Sequence, residues 1–177
     1  ADMKGRVFFS QDGATANEAA LKLARLWGNR NGRPKFISMT NSFHGRTMGA
    51  LSVTGNPSKR EPFAPFGYDV EFVKYGDVSA LERACNAEVA AVILESTQGE
   101  GGVVVPPSNY LAEVPRITRE AGALMIADEV QSGFARSGSF FASEGFPGFK
   151  PDILVFSKAA SGVGAPLGGI AFKPELN

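Results

Sequence analysis

A single cysteine, Cys85, is too few for a disulfide framework, and its neighbours Ala84 and Asn86 give no metal-ligand spacing. A lone thiol fits a reducing compartment. The only histidine is His44, which leaves a histidine-based metal site almost no material. No apolar run approaches the ~18 to 20 residues of a membrane span, and no signal-peptide pattern opens the chain. Lysine plus arginine balance aspartate plus glutamate at 18 each. We therefore expect neither a nucleic-acid partner nor a membrane association. A glycine-lysine-serine/threonine phosphate loop is missing as well. Gly162-x-Gly164 follows a strand-like run and imitates the start of a dinucleotide loop, but the third glycine would fall at Leu167.

What is present is an ordinary globular composition. The 177 residues are 44% apolar and 20% charged, enough for one domain with a sizeable core. Short apolar runs alternate with helical patterns. Val7–Ser10 reads as a short buried strand, followed by a turn over 11–14 and a helix from about Thr15 to Gly28. Ala20, Leu23, Ala24 and Trp27 share one face of that helix. Residues 29–34 read as a loop. Lys35–Met39 is the second strand, with a helix ending near Ser52. Residues 55–67, with three prolines, read as an ordered surface loop. Asp69–Tyr75 is the third strand, and Asp77 caps a short helix over 78–86. Val89–Leu94 is the fourth strand and ends at Glu95. A helix follows from Ser108 or Asn109 to about Glu120, broken or bent near Pro115. Ala123–Ala127 and Ile153–Phe156 are the fifth and sixth strands, and Gly169–Phe172 is a candidate seventh. Alternating strands and helices predict the α/β class with a mainly parallel sheet. The near-continuous apolar strands agree, because parallel strands are covered on both faces.

Polar residues recur where these strands end. Gly13 and Ala14 follow the first, and Phe43, His44 and Arg46 the second. Glu95 and Glu100 follow the fourth, Asp128 and Gln131 the fifth, and Lys158 the sixth. In an open α/β sheet, ligands collect outside the carboxyl ends of the strands. These five sets converge on one rim and make a site. A partly desolvated Lys158 can lose its proton and attack a carbonyl, or it can simply point into water. Gly13-Ala14 opens a helix, where N–H groups and the dipole favour a phosphate; a plain capping turn is the alternative. Asp128 ends a run too apolar to leave a carboxylate without a partner. A protonated pyridine nitrogen would serve, as would an arginine or backbone N–H groups. Phe43 is placed to stack on an aromatic ring or to join the core. His44 is a candidate base or loop anchor, and Arg46 offers a bidentate fork to a carboxylate. Gln131 can donate to a phenolate-like oxygen. Glu95 and Glu100 can each hold a charged partner or stand solvated.

Taken in order, Gly13-Ala-x-Ala-Asn-Glu18, Ser42-Phe-His-Gly-Arg-Thr47, Glu95-x-x-Gln-Gly-Glu-Gly-Gly102, Asp128-Glu-Val-Gln131 and Ser157-Lys158 resemble the class III pyridoxal-phosphate aminotransferases. Within that class they are most similar to the acetylornithine and ornithine aminotransferase branch. The resemblance implies the fold type I large domain, a seven-stranded, mostly parallel sheet with flanking helices, Gly169–Phe172 being the candidate antiparallel strand. It implies pyridoxal 5'-phosphate (PLP) as cofactor, carried by Lys158, which also moves the substrate proton. Asp128 would hold the pyridine nitrogen protonated and Gln131 would reach the ring hydroxyl oxygen. Gly13 and Ala14 would bind the phosphate, Phe43 would cover the ring, and His44 would lie beside the cofactor. Arg46 would take the substrate α-carboxylate, with Glu100 and Glu95 also on the substrate side. The implied reaction moves an ω-amino group from acetylornithine or ornithine to 2-oxoglutarate. A 4-aminobutyrate-type or other ω-amino acid transaminase is the alternative, as is a non-catalytic core with the same fold.

Several positions depart from the family pattern. Asp12 and Thr15 stand where serine and glutamate are usual, and Ser96 replaces a proline. Ala159-Ala-Ser replaces a run beginning Gly-Leu. Asp12 puts a negative charge near the implied phosphate unless it points away. The chain opens at Ala1 without a methionine and closes at Asn177 just after a strand-like run, and we expect a piece of a longer protein. Residues 1–177 would be the central part of the PLP-binding large domain, lacking the N-terminal segment and the small domain, and of low activity alone. The intact protein is expected to be a homodimer. It would be cytoplasmic, or in a mitochondrial or plastid matrix if a presequence precedes Ala1.

Overall fold

The computed structural model describes residues 5–162 and 164–176; Ala1, Val163 and Asn177, which figured in the sequence reading, lie outside them. Seven strands form one sheet: β1 (Arg6–Ser10), β2 (Lys35–Met39), β3 (Asp69–Val73), β4 (Val89–Glu95), β5 (Leu124–Asp128), β6 (Ile153–Phe156) and β7 (Gly168–Phe172). Their order across the sheet is β1-β7-β6-β5-β4-β2-β3. β3, β2, β4, β5 and β6 run parallel. β7 is antiparallel to both β6 and β1, as expected of the seventh strand.

Side-chain alternation decides which face each strand residue serves. Val92, Leu94, Met125 and Ala127 point to one side, where they pack with helices α4 (Val78–Ala84) and α5 (Tyr110–Ala121) through Leu81, Tyr110, Leu111 and Val114. Ala91, Ile93, Ile126, Ile153 and Val155 point to the other. There α1 (Gly13–Arg30) lies across the sheet on Ala16, Ala20, Leu21 and Ala24. Both faces of β4 and β5 are therefore covered, and every residue of the two strands is buried. That is why their sequences are apolar throughout. Two short helices, α2 (Met48–Ser52) and α3 (Pro57–Arg60), lie between β2 and β3, so the proline-rich 55–67 stretch is partly helical.

Three local expectations are corrected. β1 is not buried: Val7, Phe8 and Phe9 are 52%, 56% and 65% exposed. Among the described residues it pairs only with β7, at the sheet edge, and its apolar side chains are left uncovered. The first helix starts at Gly13 and runs to Arg30, taking in residues assigned to the turn and the loop. Asp12 is its cap: the carboxylate Oδ1 accepts from Thr15 N–H at 2.7 Å. α5 is continuous through Pro115 and ends at Gly122, whose φ of 67° suits a glycine C-cap. The buried stripe Tyr110, Leu111, Val114 and Ile117 outweighs the hydrogen bond that the proline removes.

Candidate functional site

The carboxyl ends of β1, β2, β4, β5 and β6 open onto one cleft of about 580 Å³. All ten residues nominated from the sequence line it: Gly13, Ala14, Phe43, His44, Arg46, Glu95, Glu100, Asp128, Gln131 and Lys158. The volume suits a ligand of cofactor size.

Asp128, the last residue of β5, forms the floor and is 3% exposed. Its Oδ2 accepts from Asn17 Nδ2 at 2.8 Å and lies 2.7 Å from His44 Nδ1. Its Oδ1 accepts from Val130 N–H at 3.0 Å. A carboxylate at Oδ2 requires the imidazole to carry its proton on Nδ1. Asn17 also donates to His44 O at 2.8 Å, tying α1 to the loop after β2. Sequence reasoning quoted Asn17 inside a motif and gave it no role. Its signal was an amide on the alanine-rich buried face of α1, where a polar side chain needs a partner. The loop is held further by Thr54 Oγ1, which accepts from His44 N–H at 3.1 Å. Gly45 lets the loop pass close over the helix. Its φ is +135°, and a Cβ there would meet Ala14 Cβ at 2.7 Å.

Glu95 is 4% exposed. Its Oε1 accepts from Phe43 N–H at 3.0 Å and its Oε2 from Gly99 N–H at 3.1 Å. Burial pushes its pKa up, with the nearby His44 acting the other way. Phe43 is half-buried, and two cations flank its ring. Lys59 Nζ lies 4.7 Å and Arg46 Cζ 5.8 Å from the ring centroid. Lys59 also pairs with Glu100 at 3.2 Å.

Lys158 stands at the mouth, exposed, directly after β6 and Ser157. Its φ is +46°, in the left-handed region that a lysine rarely adopts. Two contacts hold the backbone there: Ser157 Oγ donates to Leu167 O at 2.9 Å, and Ser161 Oγ donates to Lys158 O at 2.6 Å. The amine Nζ donates to Gln131 Oε1.

The residues present fit a phosphorylated pyridine aldehyde. At the N-terminus of α1, Thr15 N–H is taken by the Asp12 side chain and Ala16 N–H by Asp12 O. Among the described residues, the N–H groups of Gly13 and Ala14 have no acceptor. Both line the cleft, so a phosphate there would meet two free donors and the positive end of an 18-residue helix. The Asp12 carboxylate is folded onto Thr15, whose hydroxyl it also holds at 3.1 Å. Asp128 offers a buried anion at the floor for a ring N–H, and Lys158 an amine at the mouth for a carbonyl carbon. Among the described residues there is no cluster of three or more His, Cys, Asp or Glu side chains that could hold a metal.

The profile described as aminotransferase class-III matches residues 1–177. The chain belongs to the class-III aminotransferase family. Over 168 residues this class-III chain is 51% identical to acetylornithine aminotransferase of Mycobacterium tuberculosis, covering 95% of the chain and 40% of that protein. Its fold matches the ornithine aminotransferase of Toxoplasma gondii with a TM-score of 0.90 at 35% identity, covering 97% of the chain and 41% of that structure. It matches a PLP-bound amine transaminase from an uncultivated Pseudomonas species with a TM-score of 0.89 at 32% identity, covering 97% and 44%. The class-III chain thus spans about two fifths of the length of the relatives it resembles.

Proposed function

We propose that this chain is the central part of the PLP-binding large domain of an ω-aminotransferase of the acetylornithine and ornithine type. The observation that carries the reading is the meeting of Lys158, Asp128 and the free Gly13 and Ala14 amides on one cleft. Similarity to acetylornithine and ornithine aminotransferases supports the substrate class. The intact protein is proposed to be a homodimer, with acetylornithine or ornithine as donor and 2-oxoglutarate as acceptor.

When bound, PLP supplies an electron sink for a carbanion next to nitrogen. The chain supplies the rest. Asp128 holds a proton on the ring nitrogen, since a buried carboxylate is stabilised by a cation facing it. Asn17, His44 and the Val130 N–H fix the direction of that carboxylate. Gly13 and Ala14 bind the phosphate through their N–H groups. Phe43 covers one face of the ring, held in place by Glu95 through its backbone N–H. Lys158 provides the amine that takes and returns a proton at the substrate carbon, with Gln131 orienting its Nζ. Arg46, exposed beside Phe43, binds the substrate carboxylate, and Glu100 faces the distal group. Lys59 competes for Glu100 and sets how freely that group is met.

The test is a donor panel on the full-length protein with 2-oxoglutarate, following glutamate formation. Acetylornithine or ornithine is expected to give the highest kcat/KM. Preference for 4-aminobutyrate would move the chain to that alternative, and cofactor uptake without turnover of any ω-amino donor would contradict the reading.

A further inference from the structure

Glu129 is fully buried and takes no part in the chemistry above. Its carboxylate accepts four hydrogen bonds. Oε1 accepts from Ser96 Oγ at 3.1 Å and from Ser143 N–H at 2.7 Å. Oε2 accepts from Ala142 N–H at 3.2 Å and from Ser132 Oγ. That fills the roughly four lone-pair positions of a carboxylate. The donors come from three segments: the end of β4, the turn after β5 and the short helix at Ala142–Gly145. Gln131 lies between two anchored points of that turn. Before it, Val130 N–H donates to Asp128 Oδ1. After it, Ser132 is held by the Glu129 side chain, and Gly133 N–H closes onto Glu129 O at 2.9 Å. On the far side the Gln131 Cγ lies close against Gly99, where an added Cβ would meet it at 2.7 Å. Gln131 Oε1 in turn accepts from Lys158 Nζ.

We propose that Glu129 is a positioning residue: acting through Ser132, it fixes the 129–133 turn so that the Gln131 amide is presented to the Lys158 amine. The inference rests on the placing of Lys158 and Gln131 in the reactive site given above. A carboxylate that merely staples the loop would also destabilise the protein when removed, so the route through Gln131 is what must be tested.

The experiment uses the full-length protein without cofactor. An amine-acylating reagent is applied at fixed pH and short exposure, and modification of each lysine is followed by peptide mass spectrometry. Ser132→Ala removes one donor and leaves Glu129 its other three. It is expected to raise labelling at Lys158 about fivefold, the scale of one lost hydrogen bond. Ser132→Thr, which keeps the hydroxyl, restores the wild-type rate. Gln131→Ala raises labelling by a similar factor, and adding Ser132→Ala to it changes the rate by less than about twofold, because the two act in series. Effects that multiply would overturn the proposal. So would an unchanged rate in Ser132→Ala, or an increase spread over all lysines in step with lost thermal stability. The same cycle read as the PLP dissociation constant of the loaded protein should show the same non-additivity. If the wild-type protein takes up no PLP, the functional reading fails, while the labelling cycle still decides the role of Glu129.

Discussion

Asp128, Glu95 and His44 at the floor of the cleft are at most 4% exposed, whereas Lys158, Gln131, Arg46 and Glu100 at its mouth stand open to water. The two regions are built by different rules. At the floor the carboxylate oxygens are met by fixed partners from α1, the β2 loop and the backbone, and little can move without leaving a buried group unpaired. At the mouth the Lys59–Glu100 pair is partly exposed and easily exchanged. Under the proposed function, the floor would serve the constant part of the chemistry, holding one proton on one ring, and the mouth would serve the exchange of substrates.

Predictions follow the same division. The largest effect is expected at the floor, where Asp128→Asn removes the charge but keeps the shape. Transamination by the full-length protein should fall by about 100-fold or more, the scale of losing one preorganised electrostatic partner. A loss below about tenfold would show that the floor carboxylate is not the proton holder. Next, Asn17→Ala leaves Asp128 and His44 O without a shared donor. Urea unfolding should report a destabilisation of about 1–3 kcal/mol. The corresponding change at the mouth, Lys59→Ala, should stay below about 1 kcal/mol, because both partners of its ion pair are partly exposed. Equal costs at the two positions would erase the distinction.

Glu95 gives the comparison a pH dependence. Burial raises its pKa in the folded state, so the folded protein holds a proton that the unfolded chain releases. The stability it contributes is fully present below the ordinary carboxylate value of 4.5 and is lost as pH rises through the raised folded value. Wild-type stability should therefore fall across that window relative to Glu95→Gln, which does not titrate. Parallel pH profiles would contradict the assignment. The smallest effect concerns Asp12. Asp12→Asn keeps the helix cap and removes a negative charge beside the free amides, so PLP affinity should rise a few-fold, about 1 kcal/mol or less.

Much of this was legible in the sequence where one physical signal dominated. The strands β4, β5 and β6 were readable because burial on both faces demands near-continuous apolar runs. The rim was readable because each run stopped at a polar residue. β1 was misjudged for the same reason: Val7-Phe-Phe9 is as apolar as a core strand, and its position at the sheet edge is a property of topology. Asn17 was passed over because its value lies in two partners, at His44 and Asp128, that are distant in the chain. The Glu129 cluster was invisible for a like reason, since serines at 96 and 132 meet it only after folding. Departures such as Asp12 acquired meaning only when its carboxylate was seen to cap Thr15.

The central claim is that Lys158 is the amine that carries PLP above the Asp128 floor. Its most direct test is borohydride reduction of the PLP-loaded full-length protein, followed by peptide mapping, beside a Lys158→Ala variant. The account predicts one phosphopyridoxyl group per chain, on Lys158, and none in the variant. Modification at another lysine, or equal incorporation in the variant, would contradict it.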